Sequence, residues 1–318
     1  MAAELIVQNG DTVYFPLVCE EINWETERYG SPGKLTFKCV LDSQLQIEEG
    51  NPVRFRWNGE NVFYGFIFKI EKEKEPILSV TAYDQLRYFK NKETYVITGK
   101  TAGDVLNWIA TDFNLQTGEI EDTGYVIPSL VEDGKTLFDI MQDCLDQTLL
   151  NTGEMYVLYD DFGSLSLKSI GNLMTNVLID ADTGENYKFT SSIDENTYNK
   201  IKLVYDNKNT GQRDVYIAQD SSKMNDWGLL QYYDKLSEGE NGKEKADALL
   251  ELYNRKSKSL QITNAIGKIS VRAGCMIPVM LDLEIEKVKC LMLVESCQHV
   301  FKENEDFMNL KVRGGDIV

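Results

Sequence analysis

From Val13 to about Thr98, apolar and polar residues alternate with period two, most clearly over Leu35–Leu41, Val53–Trp57 and Val62–Ile70. That period puts successive side chains on opposite faces of a strand, so the stretch reads as an antiparallel barrel or sandwich. Turn residues separate the strands: Ser31-Pro32-Gly33, Glu49-Gly50-Asn51-Pro52, and Asn58-Gly59 between Trp57 and Val62. Asn-Gly between two alternating runs predicts a two-residue hairpin. Ile77–Tyr83 adds another strand, and Asp84 directly after it can cap a short helix running to Lys90.

At residue 99 the period changes. Gly99-Lys100-Thr101 is followed by Asp104, and Gly134-Lys135-Thr136 is followed in the same way by Asp139. Each copy opens a segment with apolar residues on one helical face: Val105, Leu106, Ile109, Ala110 and Phe113, then Leu137, Ile140, Met141, Cys144, Leu145 and Leu149. Two copies are too few for a solenoid. With strands at Met155–Tyr159 and Leu165–Leu167, the predicted product is a small α+β insert. Strands return at Tyr187–Phe189, Ile201–Tyr205 and Asp214–Ala218, and a helix at about 242–258 carries Ala246, Leu249, Leu250 and Tyr253 on one face. Further strands are predicted at Ser259–Ile262, Lys268–Val271, Pro278–Ile285, Val288–His299 and Phe307–Val312. The expected division is a β-rich region over 1–98, an α+β insert over 99–186, and a second β-rich region over 187–318.

With 318 residues, 42% of them hydrophobic, the chain can bury the cores of two or three domains. Acidic residues number 51 against 33 Lys and Arg, a formal charge of −18, so the average surface repels phosphate and tight nucleic-acid binding is not expected. No run approaches the roughly 20 apolar residues that cross a bilayer. The opening residues carry Glu4 and no basic leader, which predicts synthesis in the cytosol. Cys19, Cys39, Cys144, Cys275, Cys290 and Cys297 lack paired short spacing; five of the six sit among apolar or alternating residues, which predicts buried free thiols rather than disulfides or metal ligands. The 16 Tyr and 13 Phe suit cores and protein interfaces equally.

Each motif that suggests chemistry has a plainer reading. Gly99-Lys100-Thr101 lies between a strand and a helix, as a phosphate-binding loop would, but the glycine such a loop needs five residues before its last glycine is Thr94 here and Ser129 in the second copy. Thr101 with Asp104, and Thr136 with Asp139, are instead read as helix caps. Asp180-Ala181-Asp182-Thr183-Gly184 fails the calcium-loop pattern, because Glu185 and Ser191 stand where glycine and the bidentate glutamate belong; a solvated turn fits. His299 is the single histidine, which excludes every two-imidazole mechanism, and it lies in a strand without a nucleophile-elbow sequence near Ser296 or Cys297. Carboxylate pairs such as Asp160 with Asp161, or Glu119 with Glu121, could serve glycoside hydrolysis only if they flank a cleft. No catalytic, cofactor-binding or metal residue is assigned.

Longer segments carry a family resemblance. Ile22-Asn-Trp24, Ser31-Pro-Gly-Lys-Leu-Thr-Phe37, Gly50-Asn-Pro-Val-Arg-Phe55, Phe63-Tyr-Gly-Phe66 and Thr81-Ala-Tyr-Asp-Gln-Leu-Arg-Tyr88 are followed by Asn91-Lys-Glu-Thr-Tyr95, Thr101-Ala-Gly-Asp-Val-Leu106 and Asp214-Val-Tyr-Ile-Ala-Gln-Asp220. In this order they resemble the XkdQ/YqbQ family of PBSX-like phage tails and, more distantly, late-control protein D and the hub portion of VgrG spikes. The resemblance implies a mainly β fold with an α+β insert, in which two β-barrel tube-like domains flank the helical insert. It further implies a baseplate hub without a catalytic centre: a homotrimer presenting six barrels to a sixfold tail tube and accepting a threefold central spike. The expected location is the host cytoplasm during assembly, then the baseplate of a virion or tail-like bacteriocin. Two rivals are kept: a cell-wall hydrolase using paired carboxylates, and a carbohydrate- or receptor-binding tail module. No appended lysozyme or spike segment is expected.

Overall fold

The computed structural model describes residues 3–72, 74–194, 196–207, 210–236, 240–284 and 287–314. The fold is mainly β. The N-terminal part supplies β1 (Ala3–Asn9), β2 (Thr12–Tyr14), β3 (Val18–Glu27), β4 (Lys34–Val40), β5 (Pro52–Trp57), β6 (Glu60–Lys72) and β7 (Ile77–Tyr83). The middle supplies β8 (Lys92–Ile97), α1 (Ala102–Asp112), β9 (Thr117–Ile120), β10 (Leu130–Thr136), α2 (Leu137–Thr152), β11 (Tyr156–Asp160) and β12 (Leu165–Ser169). After these come β13 (Asn186–Ser192), β14 (Lys200–Asn207), β15 (Gln212–Gln219), α3 (Ser221–Trp227), β16 (Gln231–Lys235) and α4 (Gly242–Tyr253). The chain closes with β17 (Ser257–Ile266), β18 (Met276–Asp282), β19 (Lys287–Lys302) and β20 (Glu305–Gly314).

Period-two patterning becomes alternate burial. Along β5 the pattern buries Val53, Phe55 and Trp57, and these meet Leu35, Phe37 and Val80 from β4 and β7 in one core. The predicted hairpin joins β5 to β6, with Asn58 at φ 53° and Gly59 at φ 82°. Both left-handed residues match the twist of the flanking strands. Gly59→Val should cost about 1–2 kcal/mol, because a β-branched residue is strained at that φ; a urea melt unchanged from wild type would contradict this.

One twelve-stranded sheet runs through both β-rich regions, in the order β13-β17-β20-β19-β3-β4-β7-β6-β5-β1-β2, with β18 joined to β19. The two halves meet where β3 pairs antiparallel with β19, from Glu27 opposite Ser296 to Ile22 opposite Phe301. Among the described residues the path is open, with β2 and β13 at its ends and no closed barrel, in contrast to the two barrels that the resemblance implied.

Other strands leave the places their sequence positions implied. β8 bonds to β10 and so lies with the insert rather than with the N-terminal strands. β14, β15 and β16 form a separate sheet, in which Ile201, Leu203 and Ala218 pack on Ala246 and Leu249 of α4. Lys268–Val271 is a turn, not a strand, with the Val271 amide donating to the Lys268 carbonyl at 2.8 Å. α4 ends at Tyr253 rather than near Lys258, since β17 takes over at Ser257. β18 stops at Asp282, and the predicted strand end at Ile285 lies outside the described residues.

The insert core forms as the helical spacing predicts: Val105, Leu106, Ile109 and Ala110 of α1 face Leu137, Ile140, Met141 and Cys144 of α2. Thr101 Oγ1 accepts from the Asp104 amide at 3.2 Å while the Thr101 amide donates to Asp104 Oδ2 at 2.9 Å, a reciprocal cap. Thr136 completes only half of that exchange. Its Oγ1 accepts from the Asp139 amide at 3.1 Å and its hydroxyl donates to Asp139, because Thr136 is still paired with Lys92 in the β10–β8 ladder. Thr101→Ala should cost about 1 kcal/mol in stability, seen as a lowered Tm.

Candidate assembly surfaces and their buried frame

A polar frame locks the two halves of the sheet to the insert, and its hub is the turn between β17 and β18. Arg272 in that turn reaches the insert, where Nη1 donates to the Asp160 carbonyl at 3.0 Å and the guanidinium lies 4.2 Å from the centre of the Tyr159 ring. The next residue, Ala273, donates its amide to Thr26 Oγ1 of β3 at 3.0 Å. The preceding Val271 carbonyl accepts from His299 Nε2 of β19 at 2.7 Å. One short turn therefore holds three parts of the molecule that are far apart in sequence.

His299 is wholly buried. Its ring stacks between Trp24 (centroids 5.2 Å apart) and Phe301 (5.7 Å), while Nδ1 meets Asp306 Oδ1 at 2.9 Å. Both ring nitrogens face acceptors, so both carry protons and the ring is an imidazolium. Burial opposes the charge, yet Cys297 and the Asp306 carboxylate together hold the imidazole pKa well above its usual value. The histidine is an internal fastener, and Ser296 and Cys297 beside it belong to the ladder rather than to a cleft.

Asp84 is the second fastener. It caps the short 3-10 helix Gln85–Lys90 by accepting from the Leu86 amide at 3.0 Å, as the sequence predicts, and also accepts from the Gly33 amide at 2.9 Å. A β-carbon on Gly33 would stand 2.3 Å from Asp84 Oδ2, so only glycine admits this approach. Asp160 accepts from the Gly163 amide at 2.7 Å and the Gln85 side chain at 3.3 Å. Burial first, then the neighbouring Asp160 charge, pushes the Asp84 carboxyl well above its usual range, and burial raises Asp160 as well. Sequence reading saw the cap but missed the frame. The one legible signal was Gly33 before β4, since the partners Asp160 and Arg272 come from distant segments.

The carboxylate pairs considered for hydrolysis do not converge. Asp161 is exposed while Asp160 is buried; Glu119 pairs with Lys168 at 2.6 Å, and Glu121 accepts from the Ser169 amide and the Asn172 side chain. Asp180 sits in a turn in which its Oδ1 accepts from the Asp182 amide. Four cysteines (Cys39, Cys144, Cys275, Cys297) are buried, with Cys144 pushed up to about 12 by burial, whereas Cys19 and Cys290 are exposed, one fewer buried thiol than expected. Cys290 is exposed although its ladder partner Val279 is buried, so strand alternation does not account for it.

Outside the frame, the structure offers strand edges. β2 ends the large sheet at one side, and Val13, Phe15 and Leu17 project from it and the residues after it, with Phe15 70% and Leu17 69% exposed. β13 ends the other side, with Tyr187 and Lys188 exposed. Such edges carry unpaired amides and carbonyls available to a neighbouring chain.

Comparison with known proteins joins these features to a family. The YQBQ-like family matches residues 22–313, nearly the whole of both β regions and the insert. The chain belongs to the YQBQ-like family. It is 30% identical to the phage-like element PBSX protein XkdQ of Bacillus subtilis (strain 168), over 95% of this chain and 94% of that protein. The YQBQ-like fold is shared with the 43 kDa tail protein of prophage MuSo2 from Shewanella oneidensis, with a TM-score of 0.71, 14% identity and coverage of 97% and 98% of the two chains. It also resembles the Escherichia coli c3393 protein, a type VI secretion component described as similar to the T4 tail proteins gp27 and gp5, with a TM-score of 0.59, 9% identity and coverage of 99% and 78%.

Proposed function

We propose that this YQBQ-like chain is a structural hub of a contractile-tail baseplate, from a phage or a phage-derived bacteriocin, and that three copies close into a ring joining a sixfold tail tube to a threefold central spike. The observation that carries the reading is the open twelve-stranded sheet, whose end strands β2 and β13 each leave one edge unpaired among the described residues. A head-to-tail contact between such ends closes into a ring if its rotation is a fraction of a full turn. The family relation to the PBSX protein and the fold shared with tail proteins supply the setting. The frame around Arg272 and His299 suits a mechanical part, because it resists shear between halves and insert. Assembly takes place in the host cytoplasm, and the neighbours are tube, spike and other baseplate proteins; the hub's work is geometric, without a catalytic step.

Light scattering of the purified chain, alone and mixed with its tube and spike partners, should give the mass of a trimer. A monomer under both conditions would count against the hub. A saccharide-binding role has one observation in its favour: a recess of about 380 Å³ walled by Tyr64, Phe66, Tyr88 and Phe113, with Asn114 and Gln116 at its rim. Calorimetric binding of soluble cell-wall fragments, weakened by Tyr64→Ala, would favour that reading.

A further inference from the structure

The sheet β15-β14-β16 has two unlike faces. Ile201 and Leu203 of β14 turn toward α4 with Tyr216 and Tyr232 beside them. The alternate residues point the other way, and the register aligns them in rows: Ile217, Lys202 and Tyr233 in one, then Val215, Val204 and Lys235 in the next. Val215 and Ile217 on β15 and Tyr233 on β16 are 48%, 53% and 50% exposed, while Val204 between them on the central strand is buried, so the two flanking strands present apolar surface that no element of the described chain covers.

Its charges are of the opposite sign to the protein's. Lys200, Lys202, Arg213 and Lys235 stand on this face with one carboxylate, Asp206. Asp206 is held by Arg213 at 2.6 Å and Lys235 at 3.3 Å. Lys200 and Lys202 have no ion-pair partner among the described residues. The whole chain carries −18, so two copies approaching at random orientation repel. A face that joins exposed apolar residues to excess positive charge reverses that repulsion locally. Like other specific interfaces it combines aromatic, aliphatic and charged residues, with Lys200 and Lys202 on the central strand and the exposed apolar residues on the two strands beside it.

We propose that the β14–β16 face docks on an acidic surface of a second copy of this chain. The inference deepens the hub reading and rests on it: the exposed apolar residues of β15 and β16 supply the buried area, and Lys200 and Lys202 on the strand between them select the acidic neighbour and set the orientation in which the ring closes. A contact of this kind weakens with salt, because its selecting charges are partly exposed to solvent and are screened before the surfaces meet.

The test is sedimentation velocity of the full chain at about 0.05 M and about 1 M salt, on wild type, on K200E/K202E, and on K289E/K302E, which makes the same charge change at exposed lysines of β19. Wild type and K289E/K302E should self-associate at low salt, less so at high salt. K200E/K202E should bind itself at least ~10-fold more weakly at low salt, with an unchanged thermal melt showing that its fold is intact. If K200E/K202E associates like wild type, the docking face is wrong and the hub reading stands. If all three are trimers equally at both salts, the ring is held elsewhere and the inference is overturned. If wild type remains monomeric even with its tube and spike partners, both readings fall.

Discussion

His299→Ala should lower the free energy of unfolding by about 3–5 kcal/mol, the cost of removing one partner from a buried ion pair. The substitution leaves Asp306, whose side chain is only 6% exposed, without its cation and leaves the Val271 carbonyl with only the weak Cys297 thiol as donor. It also opens a gap between Trp24 and Phe301 at the seam where β3 meets β19. His299→Gln preserves a donor and much of the volume but cannot carry charge, so it should recover part of the loss. The pH dependence follows from the direction of the shift. A folded-state pKa held above the unfolded value near 6.5 means that the native protein keeps a proton that the unfolded chain releases. The stabilisation is complete below the unfolded value and declines as pH rises through the folded one. Wild-type Tm should therefore fall as pH rises above the unfolded value near 6.5, and His299→Gln should flatten that slope. A Tm slope identical in wild type and variant would refute the charged-ring assignment.

Asp84→Ala is expected to be nearly as costly. It strands two buried amide donors, those of Gly33 and Leu86, at about 1–3 kcal/mol each, offset in part by relief of a carboxyl group held in a dry site. Because burial raises the Asp84 and Asp160 pKa values, these groups favour the folded state more at low pH, the same sign as His299 but beginning near the unfolded carboxylate value of 3.8. Asp84→Asn retains one acceptor oxygen and removes the charge, so it should be milder than alanine and should reduce the pH dependence on the acid side. Urea midpoints measured at several pH values check both expectations, and an alanine variant within about 0.5 kcal/mol of wild type would refute the fastening role.

Together these groups give a physical account of how separate segments become one rigid part. The apolar clusters of the N-terminal half, the C-terminal half and the insert are distinct. Apolar contacts cross between them, Phe301 in the N-terminal core and Val157 with Met276 and Leu293, and directional polar contacts are added to these: Arg272 to the Asp160 carbonyl, Ala273 to Thr26, and His299 to Val271. Arg28 adds a charged link across the same seam, its Nε donating to Glu295 at 2.7 Å. Buried polar contacts of this kind fix geometry more than they add stability, because each donor accepts only one partner position. The hub role proposed above would require that fixed geometry.

Local signals in the chain settled the local structure. Period-two alternation placed β4 to β7, Asn58-Gly59 placed the hairpin, helical spacing with Thr101 and Asp104 placed α1, and the ordered segments from Ile22 to Asp220 indicated the family. These are interactions between residues close in sequence, or patterns that any partner surface would require. The tertiary structure alone decided which strands pair: that β8 joins β10, that β14 leaves the main sheet, and that β3 and β19 fuse two halves into one open sheet. It also turned Asp84 from a cap into a fastener and gave His299 its charge. Those outcomes depend on partners more than 50 residues away in sequence for Asp84 and about 270 for the β3–β19 seam, and alternation says which face of a strand is buried without saying which strand lies beside it.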